Sequence, residues 1–193
     1  MNDEELIWER YEESLSSNYF EMYHGGRKWI ESPEIRKAQK GNYEAGNGIY
    51  FTNSYLTSKK YSKGGGVVHK VKINKNYKDI KDVYVSLKEL TDFVKSVPRM
   101  KKKKEIIEDL IKNSRRRNNT NISLDVLNNL IVNHEAGSGN VGPIIAKYFK
   151  DNGVDASLEE KSGKEFWLVV FNPEIISNVK VCPPTIPVEE YML

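Results

Sequence analysis

The sequence predicts an α+β fold: a mixed β-sheet whose strands lie in two separate blocks of chain, with a helical insert over residues 86–150 between them. Three observations carry that expectation. Residues 19–74 contain short runs that alternate as strands do, broken by glycines. Residues 86–150 lose the alternation and take up helical periodicity between Pro-, Asn- and Gly-rich breaks. Alternation returns over 154–181. A strand leaves its backbone groups unpaired until it finds a neighbour. The two flanks are therefore expected to meet, which makes residues 1–193 a single domain.

The elements follow in order. Residues 3–15 set Ile7, Trp8, Tyr11 and Leu15 at helical spacing. In "YFEMYHGG" (19–26), Tyr19, Glu21 and Tyr23 point one way and Phe20, Met22 and His24 the other, and Gly25-Gly26 stop the strand. "SPEIRKAQK" is expected to open a helix, with Ser32 as N-cap and Pro33 at the first helical position. "GIYFT" (48–52) is a short strand, residues 54–62 a helix closed by the glycines of 64–66, and "VVHKVKIN" (67–74) a third strand. Four helical runs follow: "SLKELTDFVKSV", "PRMKKKKEIIEDLIKNS", "SLDVLNNLIVNHE" and "GPIIAKYFKDN". Then "VDASLEE" (154–160), the turn "KSGK", "EFWLVVFNP" (165–173) and "NVKV" (178–181) complete the sheet.

Composition bounds the rest. A hydrophobic share of 38% supplies one core, and a charged share of 30% suits a well-solvated surface. Net charge is +3, too small to name a partner by itself. The one cysteine, Cys182, forms no intramolecular disulfide and suits a reducing compartment. "MNDEELIWERYEESL" is acidic and has no apolar signal region, and the longest apolar run, "FWLVVF", is far too short to span a bilayer. The expectation is a cytoplasmic protein with no membrane partner.

Several motifs are set aside. "GSGNVG" (137–142) matches the dinucleotide-binding pattern but follows a helical run, whereas that fingerprint opens a helix directly after a strand. "NNT" and "NIS" match glycosylation sequons without a secretory signal. No Cys/His/Asp spacing points to a metal site, and no Ser or Cys nucleophile motif points to acyl transfer. Lys101, Lys102, Lys103 and Lys104, with Arg115, Arg116 and Arg117, are the densest positive charge. They are either a contact for nucleic acid or an acidic protein, or a solvated face beside Glu105, Glu108 and Asp109. The helix carrying them is expected to end near residue 115. His24 differs from His69 and His134 in its setting: it ends a strand immediately before two glycines, where a ligand can reach the backbone.

"YHGGRKW", "GNGIYFTNSYLTSKKYS" and "EFWLVVFNPEIISNVKV" together resemble the ADP-ribosyltransferases of the His-Tyr-Glu type, the group of the poly(ADP-ribose) polymerases and diphtheria-like toxins. Within that group the chain is similar to compact transferases of phage and mobile elements. The likeness spans residues 19–73 and 153–181 and leaves 80–150 without a counterpart. It implies an ADP-ribosyltransferase-like split mixed sheet, with NAD as substrate and no metal. It also implies roles. The Gly25 backbone and the Ser58 hydroxyl would hold the nicotinamide carboxamide, with Gly26 alongside. Tyr50 and Tyr61 would sandwich the ring, and His24 would bond the adenosine-side ribose.

The sequence departs from the family at the acid. Alignment puts Trp167 where the polymerases carry their glutamate, with Glu165 two residues earlier and Glu159 and Glu160 across the turn. Glu165 is favoured as catalytic acid, then Glu160. The function implied is a mono-ADP-ribosyltransferase that transfers ADP-ribose to a protein, in a bacterial or phage effector or toxin. The alternatives are transfer to RNA or DNA, and an inactive module of the same fold that inhibits a partner by binding.

Overall fold

The computed structural model describes residues 17–35, 45–135, 141–161 and 163–193. The helix expected over 3–15 lies outside them, as do residues 36–44 and most of "GSGNVG". The protein is mixed α+β, with eight strands and five α-helices among the described residues, and falls into two compact units.

The first unit holds residues 17–30, 51–77 and 174–193. Its sheet is antiparallel, built on β1 (Tyr19–Gly26), β3 (Val67–Asn74), β8 (Ile176–Val181) and the second half of β2 (Ile49–Thr52). The order is β2-β1-β3-β8. β1 runs against β3 in unbroken register from Tyr19 opposite Asn74 to Gly26 opposite Val67. The strand thus continues through both glycines, because β3 supplies partners to their backbone. The pairing of β3 with β8 slips between Lys70 and Lys72, where Asn178 takes up the extra residue at φ 47°. The alternation along β1 does not divide a wet face from a dry one. Met22 and Tyr23 are both fully buried, so this central strand is covered on both sides.

α1 (Tyr55–Tyr61) begins at Ser54, whose hydroxyl accepts from Thr57 N–H at 3.2 Å, and Lys59 and Lys60 favour its last turn. Tyr55 and Ser58, three residues apart, form its buried face. Tyr55 stacks on Tyr191 (5.8 Å, 16°) and meets Tyr23 edge-on (5.6 Å, 75°). Burial, and then the nearby Glu190, push the Tyr23 phenol well above its ordinary pKa, so it stays a neutral donor to the Glu190 carbonyl (2.8 Å).

The second unit holds the described residues of 31–50 and 78–173. The hairpin β6 (Ala156–Glu160) and β7 (Phe166–Val170) continues to the first half of β2 in the order β6-β7-β2. A separate pair, β4 (Tyr84–Ser86) and β5 (Asn121–Ser123), was not legible as strands. Each is three residues long and runs straight into a helix, its last serine serving also as the N-cap. Ser86 closes a full capping box with Glu89 at the start of α2 (Leu87–Ser96), and Ser123 caps α4 (Leu124–His134). α3 (Lys103–Arg117) and α5 (Gly142–Asp151) complete the unit.

α3 ends two residues later than expected. Asn118 takes the left-handed conformation (φ 47°) at its C-cap, and the three arginines sit favourably in its last turn. The helix expected to open at Ser32 and Pro33 does not form over residues 31–35. Of these residues only Ile35 packs against the apolar core, so no helical stripe draws a first turn together there. The helical segment is no separate lobe. Leu90, Ile106, Leu110, Leu127, Ile145 and Phe149 share one core with Val154, Val169 and Phe171 of the β6–β7 region.

Candidate functional site

The residues singled out in the sequence fall into two groups. His24, Gly25, Gly26, Ser58 and Tyr61 belong to the first unit; Tyr50, Glu160 and Glu165 belong to the second.

In the first unit, the last residues of β1 lie directly against α1. A Cβ added to Gly25 would stand 1.7 Å from the Ser58 carbonyl oxygen, so only glycine lets strand and helix approach this closely. Ser58 is 1% exposed, and its hydroxyl has no hydrogen-bond partner among the described residues. Gly26 leaves room in the same way for His24, whose Nε2 would lie 2.7 Å from a Cβ there. The spacing in the sequence therefore brings Gly25 and Ser58 into contact. Tyr61, at the C-terminal end of α1, is 61% exposed.

Two residues that the sequence left aside join this group. His69 stands beside His24 in the β1–β3 register, their rings 5.9 Å apart, and Trp29 packs against both. The indole stacks on His24 at 4.6 Å and 15°, and on His69 at 4.2 Å and 22°. Trp29 N–H donates to His69 Nε2 at 3.4 Å. Burial pulls the His69 pKa below its ordinary value. The His24 backbone opposes the fall and the charge of Lys28 adds to it. Neutral His69 can accept the Trp29 N–H, whereas a protonated ring cannot. The available signals were Trp29 inside "YHGGRKW" and the polar His69 in an alternating strand, but only the strand register puts the two histidines opposite one another.

In the second unit, Trp167 connects the candidate tyrosine and the candidate acid. Its ring meets Tyr50 edge-on (6.0 Å, 78°), and its Nε1–H donates to Glu165 Oε1 at 2.8 Å. The Lys161 ammonium lies 4.6 Å from the indole centre. The Tyr50 hydroxyl donates to the Gly46 carbonyl (2.7 Å) and accepts from Ala45 N–H (3.1 Å). Hairpin register separates the remaining acids. Glu159 stands opposite Trp167, on the face that carries Glu165, whereas Glu160 stands opposite Phe166, on the other face.

Three of the four lysines of the first basic run are engaged within their own surroundings. Lys102 pairs with Glu105 (2.9 Å), Lys104 with Glu108 (3.9 Å) and Lys112 with Asp109 (3.0 Å), and Lys103 donates to the Lys95 carbonyl. Lys101 precedes the helix, and Arg115, Arg116 and Arg117 are exposed in its last turn. Among the described residues, no cluster of His, Cys, Asp and Glu is placed to hold a metal ion, and no helix is long and apolar enough to cross a membrane. Neither a scan of protein-family models nor searches of curated proteins and of solved structures found a match to this chain.

Proposed function

We propose that the protein is an NAD-dependent mono-ADP-ribosyltransferase with an ADP-ribosyltransferase-like fold. The observation that carries the reading is the contact of Gly25 with Ser58. There the end of a His-Gly strand is pressed on a helix beside a buried hydroxyl that has spent none of its hydrogen-bonding capacity. A buried polar group without a partner is costly, and a carboxamide supplies the donor and acceptor that a hydroxyl and a strand-end backbone can use. The sequence likeness assigns that same pair to the nicotinamide carboxamide.

In this reading the bond between C1′ of the ribose and the nicotinamide nitrogen breaks, and nicotinamide leaves with the electron pair. The ribose becomes oxocarbenium-like. Glu165 stabilises that positive charge from a position fixed by the Trp167 N–H, an electrostatic role of the kind that glycoside-cleaving carboxylates play. A nucleophile of the acceptor then attacks C1′ and loses its proton. The sequence likeness assigns aromatic faces to Tyr50 and Tyr61, and to His24 a contact with the adenosine-side ribose. The acceptor is a protein, and the biological setting a bacterial or phage effector acting in a cytoplasm.

The test uses the whole chain with NAD labelled on the adenylate and, separately, on the nicotinamide, in the presence of cell lysate. Nicotinamide release with protease-sensitive adenylate label supports the reading. Nuclease-sensitive label moves the acceptor to RNA or DNA. NAD binding without nicotinamide release makes the protein an inactive module of this kind. Neither binding nor release removes the function proposed.

A further inference from the structure

Ala45, Gly46, Tyr50 and Asn128 form a closed hydrogen-bond set within the second unit. The Tyr50 hydroxyl accepts from Ala45 N–H and donates to the Gly46 carbonyl. Asn128, on the buried face of α4, donates from Nδ2 to the Ala45 carbonyl at 3.1 Å. Both main-chain groups of Ala45 are therefore taken, one by the tyrosine and one by the asparagine. Gly46 completes the set at φ +117°, and a Cβ there would lie 2.5 Å from Asn128 Oδ1. Conformation and space both call for glycine.

Asn128 is 1% exposed, beside Leu124, Leu127 and Ile131 on the same helix, and its Oδ1 has no hydrogen-bond partner. A leucine would occupy such a position without burying an unpartnered oxygen. What the amide supplies and leucine cannot is the bond to the Ala45 carbonyl. That bond holds the two-residue segment onto which the Tyr50 hydroxyl is fastened. The opposite constraint on Tyr50 is the edge contact with Trp167.

We propose that Asn128 is a positioning residue. Through the Ala45–Gly46 main chain it fixes the Tyr50 hydroxyl, and with it the plane in which the Tyr50 ring is offered to a flat ligand. The inference rests on Tyr50 facing nicotinamide. It gives the helical segment, which has no counterpart in the family likeness, a part in NAD binding at one remove.

The experiment compares Asn128→Leu, Asn128→Met, Tyr50→Phe and the Asn128→Leu/Tyr50→Phe pair in the full chain. The readouts are thermal stability, kcat and KM for nicotinamide release, and hydrogen exchange at the Ala45 amide. Asn128→Leu should fold with unchanged or raised thermal stability. Its KM should rise about 3–10-fold at nearly constant kcat, the range of one neutral hydrogen bond. Asn128→Met also lacks a donor for the Ala45 carbonyl, so this variant should show the same KM rise and serves if the leucine variant does not fold. In the Tyr50→Phe background the asparagine change should add nothing, because no hydroxyl remains to be placed. An unchanged KM in a folded Asn128 variant, or an equal rise in the Tyr50→Phe background, overturns the proposal. If the wild type releases no nicotinamide, the enzymatic reading has failed, and exchange at Ala45 then decides the positioning. Faster exchange in Asn128→Leu upholds it; unchanged exchange overturns it.

Discussion

Ser58→Ala should move stability and NAD use in opposite directions. The hydroxyl is buried and unpartnered, so the folded protein bears the cost of removing it from water with no return. That cost is about 1–3 kcal/mol, and deleting a single oxygen opens little cavity to offset the relief. For a chain of 193 residues, each kcal/mol moves Tm by roughly 2–4 °C, so the variant should melt about 2–12 °C higher. If the hydroxyl bonds the nicotinamide carboxamide, the same change removes one neutral hydrogen bond, worth about 0.5–1.5 kcal/mol, and KM for NAD rises about 2–12-fold. Thermal denaturation without ligand and nicotinamide release at varied NAD measure the two effects. A lower Tm would refute the premise, since the hydroxyl would then have a partner in the folded protein. A higher Tm with unchanged KM would refute the assignment, because the hydroxyl would be unpartnered and yet not face the ligand.

Glu165→Gln should lower kcat by about 10²–10³ with little change in NAD affinity, as expected for a charge used in the transition state; a near-normal Glu165→Gln beside a dead Glu160→Gln would put the acid on the other face of the β6–β7 hairpin. Because His69 is depressed below its ordinary value of 6.5, the unfolded chain binds the proton first as pH falls. Its contribution to stability is therefore complete above about pH 6.5 and is lost progressively below it, down to the folded-state pKa. A His69→Gln variant should flatten the acid limb of the Tm-versus-pH curve, and an unchanged limb would assign the acid sensitivity elsewhere. Neutralising Arg115, Arg116 and Arg117 should reduce transfer to the acceptor and spare NAD hydrolysis, with the difference from wild type shrinking at high salt. The same treatment of Lys101, Lys102, Lys103 and Lys104 should do less, since most of that run is engaged with neighbouring acids and a carbonyl; equal loss of hydrolysis and transfer would show that α3 supports the catalytic site instead.

The sequence by itself determined what depends on neighbouring residues. β1, β3, α1, α2, α4 and α5 follow from alternation, helical periodicity, and serine or glycine at the ends. The motif likeness assigned Gly25 and Ser58 to one ligand contact, and the folded chain brings the two residues together. Tertiary structure alone decided what depends on pairing. β4 and β5 are strands only because each finds the other, with Val85 opposite Ile122, 37 residues further along the chain. Over three residues, no periodicity can announce that. His69 becomes part of the His24 group only when β1 and β3 settle into register, which sets the two rings side by side at 5.9 Å, each stacked on Trp29. The sequence ranks Glu165 before Glu160 without separating them in space, and hairpin register puts them on opposite faces, because side chains alternate along a strand and one residue reverses the direction. Asn128 lies 78 residues from Tyr50 along the chain, and its tie to the tyrosine exists only because α4 packs against the Ala45–Gly46 segment. Hydrogen bonds between distant residues leave no local pattern, so the placement of the Tyr50 ring was the part of the candidate site that only the folded chain could reveal.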